Sequence, residues 1–330
     1  MKRVAKPPGK FNIALEEALM PSPGPDEVRM RAVRTLISRG SEIGRRYVRE
    51  ERIEPHIMGY SFSGIVDVVG SEIDHFGPGD RVVGRAPHAQ YVVRNARPVS
   101  PHHEPFVFPL DADVTFDQAP YWFLTGASVT WARVERVRPD DVVAIVGQGL
   151  VGSLLMQVHK ANGAGRIVAI DALDLRCQMA ADLGADVVID ASKEDPVTAV
   201  RRLTGGFGAD VVVYAVGGPG GPKAFEQCQD MLAADGLLHI LGRYESEPLP
   251  LFTSKGGNRR IVEGNFGYLS QTNAWSARRA MDLLATGAID TERMTTHRFP
   301  FEKAADAFDL LYNQAGSALG VLLDWDATES

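Results

Sequence analysis

Val142-Val143-Ala144-Ile145-Val146-Gly147-Gln148-Gly149-Leu150-Val151-Gly152 is the stretch that decides the fold. Five apolar residues in a row, with no polar alternation, read as a parallel strand buried on both faces. The three glycines form a tight turn. From Leu150 to Ala161 the apolar positions recur at helical spacing, and Ile167-Val168-Ala169-Ile170 is a second apolar run that ends at Asp171. Strand, glycine turn, helix and strand make one βαβ unit.

The pattern repeats downstream. A helix over Leu175 to Leu183 leads to a strand at Asp186-Val187-Val188-Ile189, and a helix over Val197 to Leu203 leads to Asp210-Val211-Val212-Val213-Tyr214. Leu237 to Leu241 and Arg260 to Val262 continue the series, with Gly217 to Pro222 read as a loop. Repeated βα units joined by short turns predict an α/β, doubly wound parallel sheet of the Rossmann type.

Within such a sheet the glycine turn has a specific meaning. Gly147 permits the tight turn, Gly149 lets the backbone approach a pyrophosphate, and Gly152 lets the helix pack close to the sheet. Leu150 and Val151 open the helix, whose free N–H groups and dipole favour phosphate. Asp171 stands roughly 20 residues further on, where a carboxylate accepts hydrogen bonds from ribose hydroxyls and repels a 2′-phosphate. No basic residue directly follows it, so the expected cofactor is NAD. Arg176 either stacks near the adenine or begins a solvated helix. Val216-Gly217 and Leu241-Gly242 lie at the ends of later strands, where open α/β sheets bind ligands.

Working toward the N-terminus, the texture changes. Glu27 to Val33, Gly64 to Val69, Arg81 to Val83 and Gln90 to Val93 are short alternating segments. Pro23-Gly24-Pro25 and Gly77-Pro78-Gly79-Asp80 supply turns, so a small, strongly bent β domain is expected before about residue 115. Beyond the parallel series, Phe301 to Gln314 has helical spacing and Gly320 to Leu323 reads as a strand.

Composition narrows the function. A net charge of −7 argues against a nucleic-acid binder, because phosphate-backbone binding needs a concentrated basic surface. No apolar run of about 18 residues is present and the N-terminus lacks a secretory apolar core, so neither membrane span nor export is expected. Two cysteines, Cys177 and Cys228, are too few for a disulfide framework. A cytoplasmic protein acting on a small molecule fits these features.

Gly59-Tyr60-Ser61-Phe62-Ser63-Gly64-Ile65-Val66, Val69-Gly70 and Phe76-Gly77-Pro78-Gly79-Asp80-Arg81-Val82 carry a family resemblance, together with the glycine turn, Leu183-Gly184-Ala185-Asp186 and Phe301-Glu302-Lys303-Ala304-Ala305-Asp306-Ala307-Phe308. With these segments the chain resembles the medium-chain dehydrogenase/reductase superfamily over nearly its whole length. The resemblance implies a GroES-like, β-rich catalytic domain over residues 1–115, a Rossmann domain over 116–289, and a return to the catalytic domain over 290–330. It also implies a cleft between the two domains and makes a homodimer plausible.

Many members of that superfamily are zinc alcohol dehydrogenases, and the chain departs from them. The position of their catalytic cysteine holds Arg39, within Ser38-Arg39-Gly40-Ser41-Glu42, and that of their His-Glu pair holds Tyr60-Ser61. Neither supplies soft nitrogen or sulfur ligands. The first 176 residues contain no cysteine for a structural zinc lobe, and the adjacent His102-His103 are poorly spaced for a metal. No metal is expected. The Ser-Arg-Gly-Ser-Glu and Gly-Tyr-Ser motifs are similar to a zinc-free subgroup that includes bacteriochlorophyllide a dehydrogenase and dehydrogenases of sugar or secondary-metabolite pathways.

Without a Lewis acid, a side chain must stabilise the developing alkoxide and relay its proton. Tyr60, His88 and Ser38 are the catalytic candidates; Tyr60 has a structural reading as a packed ring and His88 as a backbone-bonded core histidine, while Ser38 bonds either the substrate or the nicotinamide ribose. Arg39 either binds a polar substrate group or pairs with Glu42. Glu42, Tyr121 and Trp122 are expected beside the substrate, with Phe123 close by and Asn265 to Tyr268 as a cap. The expected activity is hydride transfer between NAD and a secondary alcohol or its ketone. A quinone or enoyl reductase and a non-catalytic dinucleotide binder are the alternatives.

Overall fold

The computed structural model describes residues 1–97, 106–218, 220–242, 248–252, 257–264 and 273–325. It divides into two units, one of Met1–Ala127 with Leu269–Ser330 and one of Ser128–Tyr268.

The second unit is built on strands β8 (Val142–Val146), β9 (Arg166–Asp171), β10 (Val187–Asp190), β11 (Ala209–Tyr214), β12 (Leu232–Ile240) and β13 (Arg260–Glu263). All pairs are parallel and the order is β10-β9-β8-β11-β12-β13. Order therefore reverses between β8 and β11, the switch point at which such sheets bind ligands. Helices α2 (Leu150–Ala161), α3 (Asp174–Asp182), α4 (Pro196–Leu203) and α5 (Gly221–Met231) connect the strands. The continuous apolar runs read from the sequence are core: Val143, Ala144, Ile145, Ile167, Val168, Val212 and Val213 have no exposure. α5 starts at Gly221, so the segment read as a loop to Pro222 ends earlier than expected; Pro222 is accommodated in the first turn, where its missing N–H costs nothing.

The first unit holds β3 (Glu27–Leu36), β4 (Phe62–Val69), β5 (Arg81–Gly84), β6 (Tyr91–Asn95), β7 (Val107–Pro109), β14 (Thr295–Pro300) and β15 (Gly320–Asp324) in one sheet, with a ribbon of β1 (Lys2–Ala5) and β2 (Ala14–Glu17). β15 pairs antiparallel with β3, so the end of the chain completes the sheet begun near its start. Helix α8 (Ala304–Asn313) packs into the core of this unit through Ala304, Ala307, Phe308 and Leu311.

The units divide at other points than 115/116 and 289/290. The first division falls inside α1 (Trp122–Glu135) and the second before α6 (Ala274–Ala285). Side chains explain the shift. The Trp122 indole donates to the Ala277 carbonyl and stacks on Phe108, while the Tyr121 hydroxyl meets that of Thr295 at 2.8 Å. These contacts tie residues 119–127 and 274–285 to the sheet of the first unit.

Candidate functional site

The glycine turn has the geometry of a dinucleotide cradle. Gly147 has φ +96°, and a Cβ there would lie 2.8 Å from the Ala215 carbonyl oxygen. At Gly152 a Cβ would lie 1.9 Å from the Gly147 carbonyl oxygen, so the start of α2 sits against the turn itself. At Gly149 a Cβ would have nothing within 4 Å. That glycine leaves open space above the N-terminus of α2, which no side chain caps. Free N–H groups facing open space at a helix start suit a pyrophosphate.

The other cofactor candidates converge here. Leu241 and Gly242 both donate backbone N–H bonds to the Tyr214 carbonyl at 2.8 Å, and a Cβ on Gly242 would lie 2.2 Å from the Val216 carbonyl oxygen. The ends of β8, β11 and β12 are thus pressed together, bringing Gly147, Val216-Gly217 and Leu241-Gly242 around one spot. Asp171 closes it. Its carboxylate accepts the Gln148 N–H at 2.7 Å and the Ala172 and Leu173 N–H groups at 2.8 and 3.0 Å. Arg176 is buried beside it, with Nη1 3.6 Å from the carboxylate and Nε lacking a hydrogen-bond partner. A buried guanidinium donor without an acceptor suits a ligand that stacks on or bonds to it, so the turn, Asp171 and Arg176 fit an adenosine dinucleotide.

The second candidate group lies at one end of the first unit's sheet. Thr35 faces Phe62 and the Leu36 N–H bonds to the Ser61 carbonyl, so the antiparallel register continues Ser38 alongside Gly59-Tyr60. Phe62 in turn faces Gly84, which sets Arg85 beside Ser61. Ser38, Arg39, Tyr60, Ser61 and Arg85 therefore gather although 47 positions separate the first and last of them. Tyr60 is half-buried, its ring edge-on to Phe123 at 5.3 Å; the Arg85 guanidinium lies 5.5 Å from the same Phe123 ring. Arg39 donates through Nε to the Leu311 carbonyl. The Ser61 hydroxyl is buried without a partner, while Ser38 retains slight exposure.

Four expectations are corrected. His88 is fully buried, and both its ring nitrogens are engaged, Nδ1 with Thr35 Oγ1 and Nε2 with Glu42 Oε1, each at 2.8 Å. No substrate reaches it. Glu42 is equally buried and accepts from His88 and from the Ser38 N–H, so it neither lines a substrate site nor pairs with Arg39. Tyr121 and Trp122 are core residues whose polar ends are satisfied inside the first unit. Burial pushes the Tyr121 phenol well above its usual range, against the smaller opposing effect of its bond to Thr295. Aromatic residues at a domain junction looked like lining; they are packing. His102-His103 and Asn265 to Tyr268 lie outside the described residues.

The positions of zinc ligands in the resembling enzymes present a guanidinium, a phenol and a hydroxyl. These do not fit zinc, which takes thiolate, imidazole or carboxylate. Among the described residues no three His, Cys, Asp or Glu side chains cluster to hold a metal.

A switch-point glycine turn over a helix N-terminus, closed by an acid on the second strand, makes this unit a dinucleotide-binding domain. Comparison with known proteins agrees. A family model described as zinc-binding dehydrogenase matches residues 151–286. Human sorbitol dehydrogenase is 28% identical over 97% of this chain and 95% of its own length, and the L-threonine 3-dehydrogenase of Bacillus velezensis is 27% identical over 94% and 95%. The solved structure of an alcohol dehydrogenase from Thermus sp. ATN1 superposes with a TM-score of 0.81 at 25% identity, covering 98% of this chain and 99% of that one. The chain belongs to the medium-chain dehydrogenase/reductase superfamily and is an oxidoreductase of its alcohol dehydrogenase/ketoreductase type.

Proposed function

We propose that this enzyme uses NAD, without zinc, to interconvert a secondary alcohol and its ketone on a polar substrate such as a sugar, a cyclitol or a secondary-metabolite intermediate. The observation that carries the cofactor choice is the Asp171 carboxylate, fixed by three backbone N–H groups at the end of β9. Its position suits the ribose hydroxyls and opposes a 2′-phosphate. Gly147, Gly149, Leu150, Val151 and Gly152 hold the pyrophosphate, Val216-Gly217 and Leu241-Gly242 the nicotinamide end, and Arg176 the adenosine. When bound, the nicotinamide accepts or delivers the hydride.

In this reading Tyr60 donates a hydrogen bond to the substrate oxygen and Ser38 assists it, so the charge that develops there meets hydrogen-bond donors. Arg39 orients a polar substituent. The relatives named for sorbitol and threonine support a hydroxylated substrate. The outer strand β13, where Ile261 is 44% exposed, has no second neighbour among the described residues and offers an edge for a homodimer. Both cysteines are free, which suits the cytoplasm.

The cofactor assignment is tested by fluorescence titration with NADH and NADPH. NADH should bind more tightly, and Asp171→Ser should weaken NADH by about tenfold or more, since hydrogen bonds to a charged group contribute about 1.5–3 kcal/mol. Tighter NADPH binding by the wild type would overturn the NAD reading. Native mass spectrometry checks two further points at once. The expected species is twice the 35.9 kDa chain with no added zinc; a zinc-loaded subunit sinks the metal-free mechanism, and a single-chain mass sinks the dimer. Sorbitol, 2,3-butanediol and L-threonine, with an enone as contrast, form the substrate panel. Turnover of the enone alone would replace alcohol oxidation by enoyl reduction.

A further inference from the structure

His88 and Glu42 are charged or polar, wholly buried, and unused by the chemistry above, yet they sit directly behind the residues assigned to the substrate. Four hydrogen bonds run in series through them. The Trp325 indole N–H donates to Thr35 Oγ1 at 2.8 Å. Thr35 Oγ1 meets His88 Nδ1 at 2.8 Å, His88 Nε2 meets Glu42 Oε1 at 2.8 Å, and the other Glu42 oxygen accepts the Ser38 N–H at 2.8 Å. Thr35, His88 and Glu42 have no exposure.

Only one arrangement of protons satisfies every member. An indole N–H can only donate. Thr35 Oγ1 thus already accepts one bond; a second from His88 Nδ1–H would leave its own proton without an acceptor in a dry core, which costs about 1–3 kcal/mol. The Thr35 hydroxyl must therefore donate to Nδ1. That leaves the proton on Nε2, pointing at the Glu42 carboxylate, which accepts from both of its neighbours. The imidazole is neutral and its tautomer is set by its surroundings.

The network touches both arms of the candidate substrate site. Through Glu42 it holds the backbone of Ser38, at the start of the π-type helix Arg39–Tyr47. Residue 88 also meets the other arm, where its backbone N–H donates to the Met58 carbonyl at 2.7 Å. Gly59, at φ +103°, lies so close that a Cβ would come within 2.9 Å of the imidazole ring. Tyr60 is the next residue. The imidazole is thus tied to Ser38 through Glu42 and packs directly on Gly59, the residue before Tyr60.

We propose that His88, fixed as the neutral Nε2–H tautomer, is a positioning residue that holds Ser38 and Tyr60 in register for the substrate. The proposal rests on the reading of those two residues as substrate-facing. Its test begins with the full chain labelled with 15N-histidine. One histidine should show a protonated Nε2 and an unprotonated Nδ1, and should be absent from the spectrum of a His88 variant. A protonated Nδ1, or a doubly protonated ring at neutral pH, overturns the assignment.

Two substitutions then separate positioning from mere packing. His88→Gln keeps an N–H donor that reaches Glu42, whereas His88→Asn can offer its amide oxygen to Thr35 but is too short to reach Glu42. With the panel alcohol that turns over best, His88→Asn should raise KM about tenfold or more, because small misplacements of binding groups are that costly. NADH affinity should stay unchanged, and His88→Gln should restore KM to near wild type. The Ser38 amide should exchange with solvent faster in His88→Asn than in His88→Gln, a readout that needs no substrate. Equal behaviour of the two variants in KM and in exchange overturns positioning. Should His88→Asn fail to fold, His88→Gln and the wild-type spectrum decide. If instead Ser38→Ala and Tyr60→Phe leave substrate kinetics untouched while the Nε2–H tautomer is observed, the substrate-site reading has failed rather than the network.

Discussion

Gly152→Ala is expected to abolish dinucleotide binding and to destabilise the second unit. The new methyl carbon would stand 1.9 Å from the Gly147 carbonyl oxygen and 3.0 Å from its carbon. Both are backbone atoms of the turn, so no rotamer change relieves the overlap. Either α2 must slide along its axis or the turn must open, by more than an ångström in each case. Overpacking of a rigid site costs about 1–3 kcal/mol, and a displacement of about 1 Å at a binding site costs on the order of 100-fold in function. Gly149→Ala is the matched control. Its methyl group meets nothing within 4 Å in the free protein, so Tm should hold while NADH affinity falls, the methyl group now occupying the space through which the pyrophosphate approaches. Thermal melts and NADH titrations on both variants read the two effects separately. An alanine at 152 that binds NADH within a few-fold of wild type would show that the close approach of α2 is not required.

That turn was legible because everything it needs is local. Strand, glycines, helix and Asp171 fall within 30 consecutive residues, and the apolar runs of β8, β9 and β11 announce burial on both faces without reference to any partner. Ser38, Arg39 and Tyr60 were legible only through likeness to relatives, and the register of β3 against β4 is what brings them together. The misassigned residues share one property: their partners are remote. His88 finds Glu42 across 46 positions and Thr35 across 53, and Trp325 reaches Thr35 across 290. A histidine on a turn and an aromatic pair at a junction look alike in sequence whether they face substrate or core. Which it is depends on hydrogen bonds that close only after the strands have paired. Arg85 was missed for a similar reason, since nothing in Val82-Val83-Gly84-Arg85 reveals that Phe62 lies opposite Gly84.

Glu135→Ala is expected to be the most destabilising single change in the second unit. Glu135 is the last residue of α1 and is 1% exposed. One carboxylate oxygen meets Nε2 of His159, near the end of α2, and the other meets Nδ1 of His239 on β12 at 2.5 Å. His239 Nε2 is buried without a partner. An orphaned lone pair is cheaper than an orphaned N–H, so the His239 proton sits on Nδ1 and depends on Glu135 for its acceptor. Removing the carboxylate leaves two buried imidazole donors unpaired, and breaking a buried ionic cluster costs about 3–5 kcal/mol, or on the order of 10 °C in Tm. The cost should depend on pH in a definite direction. Burial raises the Glu135 carboxyl pKa, but attraction to His159 and the hydrogen bonds accepted from His159 and His239 outweigh it and hold the carboxyl below its usual value of 4.5. A depressed carboxylate stabilises the fold fully above its unfolded value and loses that contribution as pH falls through the folded one. The gap in Tm between wild type and Glu135→Ala should therefore be widest near neutrality and close progressively below pH 4.5. Melts across that range would refute the assignment if the gap were absent at pH 7 or grew on acidification. Glu135→Gln should fall between the two, because its amide can accept from one histidine but turns an N–H toward the other unless that ring changes tautomer, and for His239 such a change leaves the Nε2 proton facing Gly264 with no acceptor.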